Sequence, residues 1–162
     1  NIYKYKNSNI SKFYEEVIPM VKLLVGEAGS GKTKAMIHMA NEAVDLAKGE
    51  IVYIESSSKH MHQLHRNIRF ISTQDFALNT FNSLYGFLCG LVSENYDIEK
   101  IYIDGMDKVV GNITPIMIDF MKDINKFTDK YEIDMIISSS IDDPSLEQEL
   151  KDYFITFDKV TV

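Results

Sequence analysis

The chain is poor in cysteine, poor in arginine and without a long apolar run, and each shortage closes off a class of function. One cysteine, Cys89, forbids an internal disulfide and fits a reducing compartment, so the cytoplasm is the expected location. Two arginines, Arg66 and Arg69, are too few and too close together to clamp two phosphate groups with several guanidinium forks. No apolar stretch approaches the ~20 residues needed to cross a bilayer. The opening segment NIYKYKNSNISKFYEEVIP has no continuous apolar core of the signal-peptide kind.

What is present suits a single soluble domain. The 162 residues are 45% hydrophobic and 25% charged, enough to bury a sizeable core. Net charge is −7, which argues against a nucleic-acid groove, since such grooves neutralise phosphates with lysine and arginine. A small nucleotide held by backbone amides is not excluded by that charge.

The organising stretch is VKLLVGEAGSGKT, residues 21–33. Val21, Leu23, Leu24 and Val25 predict a strand buried on both faces. Gly26, Glu27, Ala28, Gly29, Ser30, Gly31, Lys32 and Thr33 then match G-x-x-x-x-G-K-[ST] in full, directly before an amphipathic helical pattern. Glycines let several backbone N–H groups converge on a polyphosphate, and the helix N-terminus adds free donors and a positive dipole end. Lys32 would place a charge by the β- and γ-phosphates, and the Thr33 hydroxyl would ligate Mg²⁺.

The rest of the chain alternates strand and helix signals. Residues 1–19 read as an appendage, with a short helix over 11–17, and residues 20–162 as one domain. A helix predicted from Ala35 onward ends at Gly49 as its C-cap. Strands follow at Ile51–Ile54, ending on Glu55, and at Ile68–Ile71, the latter at an edge. Between them, residues 59–65 suit a short helix. A long helix is predicted from Gln74 to Asn95, N-capped by Ser72 or Thr73, with Gly86 and Gly90 packed tightly against the sheet. The strand Ile101–Asp104 runs into a turn at 104–107, and Thr114-Pro115 opens a helix to Lys130. Ile133–Ile137 is another strand, Asp143-Pro144 starts a helix to Asp152, and a hairpin around Asp158-Lys159 closes the chain. Runs that are apolar throughout imply a mainly parallel sheet with helices on both faces, a three-layer α/β fold. In such sheets ligands bind at the carboxyl ends of the strands.

Residues at those ends carry the candidate chemistry. Asp104 is placed to hold the Mg²⁺ shell. Glu55 is a candidate base for an attacking water, or equally an exposed loop acid. Gly105 occupies the position directly after Asp104, where many ATPases carry a glutamate, so that version of the mechanism is missing. Ser138 could sense a γ-phosphate or simply fill a turn. His38, His60, His62 and His65 lack the converging ligand set of a zinc site and read as solvated or base-contacting groups.

GEAGSGKT, then IVYIE, then IYIDGMDKV together resemble the core of RecA- and KaiC-type ATPases over roughly residues 20–140. The resemblance implies a P-loop NTPase fold, ATP and Mg²⁺ as ligands, Glu55 serving the attacking water and Asp104 serving the metal. DNA-binding loops and an arginine finger are not visible. The chain is also similar to short bacterial P-loop proteins. The order of elements resembles thymidine kinases too, yet the single cysteine cannot build the four-cysteine zinc ribbon expected there. Asn125 to Asp129 has the wrong spacing for a guanine-reading motif, which favours adenine. Three functions follow as expectations: a slow ATPase working as a switch or assembly subunit (with a protein partner or a second copy), a kinase for a nucleoside or other small molecule, and a non-catalytic nucleotide-binding module.

Overall fold

The computed structural model describes residues 20–156. The predicted appendage at 1–19 and the hairpin around Asp158-Lys159 lie outside the described residues. Six strands form one sheet: β1 (Val21–Val25), β2 (Glu50–Glu55), β3 (Ile68–Ser72), β4 (Ile98–Asp104), β5 (Asp134–Ser139) and β6 (Phe154–Ile155). Their order is β3-β2-β4-β5-β1-β6, and every neighbouring pair is parallel. Parallel neighbours need crossovers, and here those are the helices α1 (Lys32–Ala43), α2 (Phe81–Glu94), α3 (Met106–Val110), α4 (Ile116–Tyr131) and α5 (Pro144–Leu150). One connection differs: residues 56–67, between β2 and β3, contain only a 3₁₀ turn at Met61–Gln63.

Alternate side chains along the strands feed two cores. One face packs Leu24, Ile51, Tyr53, Ile68 and Tyr102 against Ala35, Met36, Ile37 and Ala40 of α1. The other packs Leu23, Val52, Ile54, Ile101 and Ile103 against α2, α4 and α5. In α4 the buried positions Met117, Phe120, Met121, Ile124 and Phe127 follow the 3.6-residue period, so a single stripe faces the sheet. The result is three layers, as the strand pattern implies. Among the described residues no helix is long and apolar enough to cross a membrane.

Four local expectations need correction. Helix α1 stops at Ala43 with Val44 as its C-cap, and Gly49 serves another purpose. A Cβ at Gly49 would stand 2.3 Å from the carbonyl oxygen of Asp97, so glycine is needed where β2 enters beside β4. Helix α2 begins at Phe81, because Thr80 caps it: its side chain accepts from the Ser83 N–H while the Ser83 hydroxyl accepts from the Thr80 N–H. Residues 73–75 form a separate 3₁₀ turn. Gly86 and Gly90 face outward with nothing within 4 Å of a Cβ placed there, so they do not pack on the sheet. Finally, the segment after Asp104 is the short helix α3 rather than a plain turn.

Candidate functional site

The site lies where four adjacent strands end. On the α1 side of the sheet, β3, β2 and β4 carry Phe70, Tyr53 and Tyr102, whose rings stack with centroids 6.3 and 6.1 Å apart. Two residues further along, the same face carries Ser72, Glu55 and Asp104, which are register partners across the sheet. Ser138 of β5 continues the row, paired with Leu24 of β1. An apolar layer therefore changes to a polar one over a single strand step. Glu55, Asp104 and Ser138 are all buried.

Asp104 is held from three directions. Tyr53 donates its phenol to Oδ2 at 2.9 Å, and Ser138 donates to Oδ1 at 2.8 Å. The Thr33 hydroxyl also points to Oδ1, at 3.3 Å, although the two residues are 71 positions apart. Burial and the Asp104 charge push the Tyr53 phenol far above its ordinary value, so it stays a donor. Burial and then Asp134 push Tyr102 up to about 12. Ser138 in turn accepts from the Gly105 N–H at 2.8 Å, which commits its hydroxyl to bracing Asp104.

The 26–33 loop crosses the tip of β1. Gly29 and Gly31 have φ of 78° and 95°, a left-handed conformation that residues with a Cβ rarely adopt. Lys32 folds back, donating to the carbonyls of Gly26 and Glu27 at 2.6 and 2.7 Å and reaching Ser140 Oγ at 3.3 Å. Its pKa is lowered, chiefly by burial, with Asp107 pulling the other way. Asp107 itself accepts from the Ser140 N–H at 3.2 Å. Ser140, not Ser138, is thus the strand-end hydroxyl beside the lysine.

Glu55 is not an exposed loop acid. Its Oε1 meets His60 Nδ1 at 2.6 Å, and its Oε2 is buried without a hydrogen-bond partner among the described residues. Ser30 Oγ and Ser72 Oγ share that condition. Glu55, His60 and Asp104 offer ligand atoms all within 4.8 Å of one another, so the site can also approach a cation closely. The other histidines stay apart: His38 pairs with Glu42 at 3.4 Å on the exposed side of α1. Arg69 lies at the opposite end of the sheet, beside Glu50 and Glu94.

The fold, rather than the site, has a solved counterpart. The chain is similar to the flagellar accessory protein FlaH from Methanocaldococcus jannaschii, at 12% identity and a TM-score of 0.52, over 86% of this chain and 73% of that one. No family model and no curated protein matches the sequence. At that identity the likeness is one of fold, and it supports the three-layer α/β architecture.

Residue spacing along the chain pointed to the 26–33 loop, Glu55, Asp104 and Ser138. It did not point to Tyr53, His60, Ser72, Asp107 or Ser140 as members of the same site. For Tyr53 and Ser72 a signal existed: each shares a strand face with its site, two residues from Glu55 or directly opposite it. For His60 none did, because its partner is set by how residues 56–67 turn.

Proposed function

We propose that the chain binds ATP with Mg²⁺ in the 26–33 loop and hydrolyses it slowly, working as a switch or as a subunit of an assembly. The observation that carries the reading is the convergence of Thr33 and Asp104 at 3.3 Å beside a glycine-rich loop with a lysine in it. Their oxygen donors suit a hard divalent cation. Buried Ser30 and Glu55 oxygens without partners support the same reading, since a buried polar atom left unpaired costs about 1–3 kcal/mol and calls for an explanation.

In this reading, the amides of Gly26 to Thr33 cradle the phosphates. Lys32 exchanges its two carbonyl contacts for phosphate oxygens, which relieves the penalty of a partly buried charge. Thr33 and Asp104 would hold Mg²⁺, which when bound offsets phosphate charge. Tyr53 and Ser138 fix the Asp104 carboxylate so that it does not have to reorganise. Glu55 offers its unpartnered oxygen to a water.

Isothermal titration with ATP and Mg²⁺, followed by a turnover assay, tests this. Lys32→Ala is expected to weaken ATP binding about 100-fold, the scale of losing a charge-assisted contact of ~3 kcal/mol. Glu55→Gln is expected to keep the affinity and lose turnover. An unchanged affinity in Lys32→Ala would refute the reading.

A further inference from the structure

We infer that His60 is the positioning residue for Glu55: its Nδ1–H grips one carboxylate oxygen and so aims the other at the water site. The inference rests on the proposed hydrolysis and names how its base is oriented. Glu55 ends β2 as a buried side chain, and a lone carboxylate there would be free to rotate about its last torsion, which is broad and two-fold. The contact from His60 to Oε1, at 2.6 Å, removes that freedom. An ionised carboxylate can only accept, so this contact requires a proton on Nδ1, whatever Nε2 carries. Oε2 is then the one Glu55 oxygen left without a partner among the described residues, and it is buried. A base held by a third group is the arrangement that general-base chemistry requires, because the productive geometry must exist before the proton moves.

His60 is itself held. It precedes the 3₁₀ turn Met61–Gln63, and α1 grips that turn through one residue. Asn41 donates from Nδ2 to the Gln63 carbonyl at 2.9 Å and accepts from the His65 N–H at 2.8 Å. The loop between β2 and β3 therefore hangs from the helix that begins at Lys32. Its position is tied to the far end of that helix.

The test combines ATP affinity, single-turnover hydrolysis and ring nitrogen-15 NMR on the full chain. His60→Ala is expected to slow hydrolysis about tenfold with ATP affinity unchanged, a fraction of the roughly 10²–10⁴-fold that a general base itself contributes. His60→Asn, whose amide can donate from the place of Nδ1, is expected to recover most of the rate. In a Glu55→Gln background, His60→Ala is expected to add no further loss, since the two residues act as one unit. In the nucleotide-free protein, NMR is expected to find the His60 proton on Nδ1. A wild-type rate in His60→Ala, a faster one, an Asn variant as slow as Ala, or a ring protonated on Nε2 alone each overturns the assignment while leaving ATP hydrolysis in place. A parent protein that binds ATP without turning it over overturns both this assignment and the catalytic half of the proposed function.

Discussion

The two ends of the sheet are built on opposite terms. At the amino ends, polar groups are matched. Glu99 accepts from the N–H groups of Lys48 and Gly49 at 2.9 and 2.8 Å, and Glu50 accepts from Asn95 at 2.8 Å. Lys100 meets Asp134 at 2.7 Å. At the carboxyl ends, Ser72 and Glu55 each leave a buried oxygen without a partner, and Ser30 does the same in the loop that follows β1. Native structures rarely leave such atoms unpaired, and the ones that do occur concentrate where a ligand is to be received. One end holds the strands in register; the other keeps bonding capacity in reserve.

The largest effect that would sharpen this contrast is at the matched end. Gly49→Ala forces a methyl to within 2.3 Å of a backbone oxygen, and a loss of about 3 kcal/mol in urea unfolding is expected, with ATP affinity per folded molecule unchanged. A smaller loss belongs to the braced part of the site. Ser138→Ala removes the Asp104 contact and strands the Gly105 N–H, at a cost of about 2 kcal/mol by the same measurement. Ser72→Ala goes the other way, because its hydroxyl has no partner to lose: thermal melting is expected to show a gain of up to about 1 kcal/mol. A clear loss there would mean that the hydroxyl is satisfied after all, and the contrast between the ends would fail. The smallest change is Gly86→Ala on the open side of α2, worth about 0.5–1 kcal/mol of added stability from helix propensity alone.

Much of this was legible from residue order, for reasons that differ by residue. The turn at residues 26–33 could be read because its glycines mark backbone that must take left-handed angles, as Gly29 and Gly31 do. Glu55 and Asp104 could be read because each ends an apolar run, and a charge there stands at the sheet's ligand-binding edge. The start of α2 could not, since Phe76 and Leu78 continue a helical spacing while the cap uses Ser83 where a glutamate or glutamine is the usual signal. Gly49 resembled a helix end because it follows an apolar helical pattern, yet its constraint comes from Asp97, which only the folded sheet brings near. His60 is the same kind of case, defined by a partner five positions earlier through a loop with no regular period.

Asn41 sits about two and a half helical turns beyond Lys32, on the same rigid rod. The segment bearing His60 is bonded near one end of that rod, and the 26–33 loop joins its other end. A displacement of α1 would therefore carry both attachments with it, much as two instruments bolted to one bench move when the bench moves.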